Sequence, residues 1–275
     1  MRRRTIPTTG EELPVCGLGS AGMFMELPEG GKEIPMSVIQ TMVDMGGKVI
    51  DTPSFLRGRE PVLGSILAEM NLLDDTFLSA KITVSGRQAG VQHLETLQRA
   101  MRKNPVDLFM VNLMMDMDNH WPTLREWKEA GRTRYIGVTH TTDQVEEEPT
   151  VKLIESGELD ILHVNYSVLQ PDAANRILPA AMDNGVAVIT TRPFVNGAYF
   201  GTVAGHELPE WATEFDCNSW AQFSLKYALS NPAVTCALSE TSKPHHVVDN
   251  MGAGFGRLPD EAMRQRMFDH FHSLG

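Results

Sequence analysis

The 275-residue chain predicts an α/β fold, a (β/α)8 TIM barrel with one extra C-terminal helix. Three observations predict it. Short apolar runs alternate with amphipathic runs along the whole chain. The apolar runs are continuous, as expected of parallel strands buried on both faces. Eight such strand–helix units over this length fit a closed barrel better than an open sheet.

The elements follow in order. Residues 15–19 form the first strand. In 37–45, Val38, Ile39, Met42 and Val43 share one side, which predicts a helix stopped by Gly46-Gly47. Residues 48–52 are a strand, 60–71 a helix and 76–82 a strand. In 90–103, Leu94, Leu97 and Met101 recur at helical spacing. A strand at 106–113 precedes a helix at 122–130, with Pro122 in its first turn and Gly131 at its end. Residues 134–139 are a strand, 150–156 a helix ending at Gly157, 160–167 a strand and 173–184 a helix closed by Gly185. The strands 186–191 and 234–239 flank a helix at 219–230, and helices at 244–251 and 260–271 finish the chain. No linker rich in Pro, Gly or Ser divides it, so residues 1–275 read as one domain. The longest irregular segment, 192–218, follows the seventh strand, where a barrel would hang it over the catalytic face.

Composition narrows the function. Hydrophobic residues make up 42% and charged residues 21%, ordinary globular values. The net charge of −11 argues against a nucleic-acid partner, which needs clustered Lys and Arg. No stretch reaches transmembrane length, so no membrane partner is expected. Arg2-Arg3-Arg4 is followed by polar residues rather than an apolar segment, so no signal peptide is expected. Cys16, Cys217 and Cys236 are too few and too scattered for a disulfide framework or zinc site; they read as buried apolar residues in a reducing cytoplasm. No His or Cys pair has metal-ligand spacing, and no metal is expected.

Barrel active sites lie at the C-terminal ends of the strands. The polar residues there are Asp51, Lys81, Asn112, Thr139, His140, Asn165, Arg192 and Ser239. No strand–Gly-x-Gly-x-x-Gly–helix unit is present, so a dinucleotide would have to be held by barrel loops.

The runs Val49-Ile50-Asp51-Thr52-Pro53, Ala80-Lys81-Ile82, Asp107-Leu108-Phe109-Met110-Val111-Asn112 and Gly131-Arg132-Thr133-Arg134-Tyr135-Ile136-Gly137-Val138-Thr139-His140 follow one another in order. Together with Asn165-Tyr166-Ser167 and the tail from Ser239 to Asn250, they resemble the aldo-keto reductases. The resemblance implies an N-terminal hairpin before the first strand, and hydride exchange between NADP or NAD and a small carbonyl compound. It implies a tetrad of Asp, Tyr, Lys and His, in which the Lys lowers the pKa of a proton-donating Tyr. Asp51 and Lys81 fill two positions. The Tyr position falls on Leu56 or Phe55 and the His position on Asn112, so the tetrad is incomplete. For the cofactor the resemblance implies Thr139, Asn165, Arg192, Ser239, Lys243 and Asn250. Glu240 stands where a cation for the 2′-phosphate is common, with Lys243 and His246 as remaining cations.

Leu56 and Phe55 cannot donate a proton. Asn112 can still donate a hydrogen bond to a carbonyl oxygen, though it cannot shuttle a proton. The resemblance also implies a buried pair of Asp51 and Lys81, either structural or catalytic; in the second case Lys81 is an acid or electrostatic clamp, since pairing would leave its amine poorly nucleophilic. The candidate catalytic set is Asp51, Lys81, Asn112 and His140, with His140 the best spare acid–base group and His120 a weaker one. Tyr199, in the long loop, is a further and less favoured candidate. The leading reading is a reductase with this non-standard set. The alternatives are a cofactor-independent lyase, dehydratase or isomerase on the same barrel, and a non-catalytic protein that binds a cofactor or metabolite.

Overall fold

The computed structural model describes residues 1–25, 31–52, 60–143 and 145–274. Two short strands, β1 (Arg3–Thr5) and β2 (Glu12–Pro14), pair antiparallel as the expected N-terminal hairpin. Eight parallel strands then close on themselves: β3 (Cys16–Gly19), β4 (Val49–Asp51), β5 (Phe77–Ile82), β6 (Val106–Val111), β7 (Thr133–His140), β8 (Ile161–Asn165), β9 (Ala187–Thr191) and β10 (Val234–Glu240). The barrel runs in chain order, and β10 completes it by pairing with β3.

The helices pack outside. They are α1 (Ala21–Met25), α2 (Glu33–Asp44), α3 (Glu60–Glu69), α4 (Arg87–Met101), α5 (Met117–Glu129), α6 (Glu147–Glu155), α7 (Ile177–Asp183), α8 (Ala198–Thr202), α9 (Trp220–Ser230), α10 (Pro244–Gly252) and α11 (Glu261–His272). One apolar layer, including Leu63, Leu94, Ile136, Leu178, Phe223 and Met251, is buried between strands and helices. A second fills the barrel interior with Val49, Phe77, Leu108, Met110, Tyr135, Ile161, Ile189 and Leu238. Side chains alternate along each strand, so inward residues recur every second position.

The hairpin plugs the N-terminal end of the barrel. Its Ile6 and Leu13 join the interior layer. Arg4 donates to the carbonyls of Leu229 at 2.7 Å, Asn231 at 3.0 Å and Val234, tying the hairpin to the approach to β10. Tyr135 donates from its hydroxyl to Glu11 at 2.7 Å.

Several element boundaries differ from the sequence expectation. The helix expected at 122–130 begins at Met117, so Pro122 lies in its second turn rather than at its start; the fold tolerates the one hydrogen bond its missing N–H removes. The helix expected at 173–184 is a 3-10 turn at Asp172–Ala174 followed by α7. Pro179 has no N–H and is best placed in a first helical turn, which sets the restart at Ile177. The segment 192–218 is not irregular throughout: it holds 3-10 turns at Val195–Gly197 and Glu210–Phe215 and the short α8.

Candidate active site

At the C-terminal ends of the strands lies a cavity of about 670 Å³. Asp51, Lys81, Asn112, His163, Thr191, Arg192, Ser239 and Glu240 line it, with Leu113, Thr141, Thr142 and the 193–197 segment among the other walls. Two glycines of β3 shape the strand beside it. A side chain at Gly17 would collide with Leu238 and Val49, while Gly19 sits level with Asp51 on one side and Glu240 on the other.

Asp51 and Lys81 form the centre of the site. Lys81 Nζ donates to both carboxylate oxygens of Asp51, at 2.6 and 2.8 Å, and to the Thr52 carbonyl at 2.7 Å. Ser79 Oγ adds a donor to Asp51 Oδ1 at 2.5 Å. All three ammonium donors of Lys81 are therefore engaged, and it influences a ligand through its charge rather than through a free N–H.

Asn112 follows β6 in a tight turn. The next two residues, Leu113 and Met114, have φ of 49° and 51°, a left-handed conformation that costs non-glycine residues about 1–3 kcal/mol each. Thr139 holds this turn: its Oγ1 accepts from the Leu113 N–H at 2.7 Å and donates to Asn112 Oδ1 at 3.4 Å. With Oδ1 so engaged, the polar atom left to the Asn112 amide is its Nδ2 donor.

On β8, His163 pairs in register with Thr139. It is fully buried, both ring nitrogens lack a hydrogen-bond partner, and Nδ1 lies 3.8 Å from Asp51 Oδ1. Burial pushes its pKa down to about 4; Asp51 opposes that shift and Lys81 reinforces it. The strand-end inventory missed His163. The signal was available: it lies two residues before Asn165, on the same strand face.

Arg192 follows β9 directly with φ of 55°, and its Nε is buried without a partner. Val195 and Asn196 also take positive φ, at 46° and 53°; for a β-branched valine this is a strained conformation. Glu240 stands on the rim. Its carboxyl accepts the Gly22 N–H, and a side chain at Gly22 would press on its Cγ at 3.1 Å. Partial burial and the charge of Asp51 raise its pKa.

The other expected site residues stand apart from the cavity lining. Asn165 donates from Nδ2 to the Thr141 carbonyl at 2.8 Å and accepts from Thr191 at 2.9 Å, so it braces β7, β8 and β9. His140 is half-buried with Nδ1 2.9 Å from Thr150 Oγ1, and burial lowers its pKa. His120 packs beneath Gly90 with Nε2 2.7 Å from the Val84 carbonyl. Lys243 is exposed at the start of α10, and Asn250 is buried on the same helix. Tyr199 is buried, stacks on Phe271 and donates to the Trp220 carbonyl at 2.8 Å. Leu56 and Phe55 lie outside the described residues. No cluster of metal-ligating side chains occurs among the described residues, and no helix among them is long and apolar enough to cross a membrane.

This chain belongs to the aldo/keto reductase family, whose sequence pattern matches residues 32–266. An 87-residue stretch is 33% identical to the NADH-specific methylglyoxal reductase of Escherichia coli (strain K12); the match takes in 31% of this chain and only 25% of that protein. The fold is that of an aldo-keto reductase from Bacillus halodurans in its holo form, at TM-score 0.77 and 16% identity over 98% of this chain and 96% of the other. It is also that of an aldo/keto reductase from Klebsiella pneumoniae in complex with NADP and acetate, at TM-score 0.75 and 18% identity over 98% and 96%.

Proposed function

We propose that the protein is a nicotinamide-dependent oxidoreductase that interconverts a small carbonyl compound and its alcohol, using Asp51, Lys81 and Asn112 in place of the usual tetrad. The observation that carries this reading is the Lys81–Asp51 pair on the cavity wall in a chain of this family.

The residues fit the cofactor. The cavity is within the usual size range for a ligand site. Arg192, with its unpartnered Nε in the wall, suits a phosphate oxygen, and Ser239 offers a hydroxyl beside it. Lys243 and Asn250 on α10 would serve the adenosine end. When bound, the nicotinamide supplies or takes up a hydride at the substrate carbon. The chain's task is to orient the substrate oxygen and answer its charge. Asn112 Nδ2 is the donor for that oxygen, and Lys81, locked on Asp51, provides a fixed field. An amide donor aimed at a developing oxyanion contributes roughly 3 kcal/mol in other sites.

Glu240 favours NADH over NADPH in this reading, because a carboxylate on the cavity rim repels a 2′-phosphate. The NADH-specific relative supports the same preference. Its substrate, methylglyoxal, represents the class of small, activated carbonyls we assign here. The three free, buried cysteines support a cytoplasmic setting.

Titration of the purified protein with NADH and NADPH, followed by nicotinamide fluorescence, tests the reading. Saturable binding with NADH the tighter ligand is expected. Absence of binding of either at millimolar concentration overturns the assignment and leaves a cofactor-independent barrel.

A further inference from the structure

We infer that His163 is the proton-transfer group of this site: Nδ1 faces Asp51, and Nε2 exchanges a proton with the oxygen of a substrate in the cavity. The inference rests on the oxidoreductase reading above and supplies the acid–base group which that reading leaves open.

The geometry singles out this ring. His163 has no exposed surface, and neither of its nitrogens meets a partner, although it lines the cavity. Buried polar groups in folded proteins are overwhelmingly paired, so an imidazole with two orphan nitrogens in a cavity wall points to a partner that arrives with the ligand. At 3.8 Å the Nδ1–Asp51 separation is too long for a hydrogen bond but well within reach of the carboxylate's charge. Asp51 thereby holds Lys81 by direct bonds and biases the His163 ring by its field. A carboxylate behind one nitrogen and a second nitrogen left without a partner is the general arrangement of an oriented proton carrier.

No tyrosine competes for the role among the described residues. Tyr135 is bonded to Glu11 at the far end of the barrel. Tyr166 and Tyr227 are ring neighbours, 5.7 Å apart in the outer layer, and Tyr199 is bonded to Trp220. None of the four lines the cavity.

The step balances as follows. In the oxidation direction the alcohol O–H bond breaks and an N–H bond forms at Nε2, while the electron pair of the substrate C–H bond leaves as hydride to an oxidised nicotinamide. In reduction the imidazolium returns the proton to the oxygen that becomes the hydroxyl. The charged and titratable groups facing the ring across the cavity are Asp51 on β4, Lys81 on β5, Arg192 after β9 and Glu240 on β10. Of these, Asp51 favours the imidazolium and Lys81 opposes it. The neutral ring is thus ready to act as base, and its acid form is drawn out by negative charge on the substrate oxygen.

Two measurements test this. Imidazole nitrogen spectra of the full-length protein across pH, with acetate as oxyanion probe, read His163 directly; its signals are those lost in His163→Gln. Acetate is expected to shift both ring nitrogens and raise the ring's proton affinity at least tenfold. Signals indifferent to acetate overturn the proposal without reference to any cofactor. Turnover of methylglyoxal with NADH, and of the alcohol with NAD, is the second. His163→Gln is expected to lose about 10²–10⁴-fold in rate and its pH-dependent limb, while NADH affinity stays within about twofold. A variant that keeps the parent pH profile overturns the proposal. Should neither nicotinamide bind, the oxidoreductase reading fails alone, and the acetate response still decides whether His163 takes up a proton toward a ligand. Should His163→Gln not fold, His163→Asn supplies both the assignment of the ring signals and the rate comparison.

Discussion

Lys81 and Asp51 face each other across adjacent strands with Nζ 2.6 Å from one carboxylate oxygen and 2.8 Å from the other. Both side chains are largely buried, at 8% and 11% exposure. Removing one partner leaves the other charge stranded. Asp51→Asn or Lys81→Met alone is expected to cost about 3–5 kcal/mol, read as a shift in urea midpoint. The double variant should recover much of that loss, because no buried charge remains uncompensated. Additive single costs would show that the two groups are stabilised separately, Asp51 through Ser79 and Lys81 through Thr52.

Stability should also depend on pH through His163. Its pKa is about 4 in the folded protein against an ordinary 6.5, so between those values the unfolded chain binds more protons than the folded one. Stability is fully present above pH 6.5 and falls as the pH drops toward 4, levelling off below. A shift of this size corresponds to about 3 kcal/mol. Denaturant midpoints of the parent and His163→Gln proteins at pH 4 to 7 measure it. The variant should lack this part of the slope; equal slopes would mean that the ring is solvated.

Glu240 should read the cofactor. With its carboxyl held against Gly22 at the rim, Glu240→Lys replaces a repulsive charge by an attractive one. The ratio of NADPH to NADH affinity is expected to rise at least tenfold, about 1.4 kcal/mol, in fluorescence titrations. An unchanged ratio would place the 2′-position elsewhere.

Gly64 on α3 packs directly on α4. A methyl group there would sit 2.2 Å from the Ala100 carbonyl oxygen and 2.8 Å from the Met101 carbonyl carbon, backbone that cannot rotate away. Gly64→Ala is expected to lower stability by about 1–3 kcal/mol despite alanine's better helix propensity. A raised melting temperature would contradict the close approach of the two helices.

The strands were legible because a barrel buries both faces of a parallel sheet, which leaves continuous apolar runs such as Val106–Val111. Asp51, Lys81 and Asn112 stood out as polar residues at the ends of such runs. His163 did not, because it lies inside one, between Leu162 and Val164, and only the inward alternation of the closed barrel separates it from its apolar neighbours. Thr139 and Asn165 were found at the right height, yet their hydrogen bonds turn sideways to Leu113, Asn112, Thr141 and Thr191. Periodicity gives the level of a side chain in the barrel, not the partner it chooses. The left-handed backbone of Leu113, Arg192 and Val195 carries no Gly or Asn signature, since tertiary contacts impose it against local preference.

The hairpin at the opposite end of the barrel gives the molecule a fixed polarity for handling. Arg4 moors the first residues to the carbonyls around Asn231, on the far side from the cavity mouth. A linker fused ahead of Met1 therefore leaves from the sealed base, and molecules attached to a solid support by that linker present their openings to the bulk liquid.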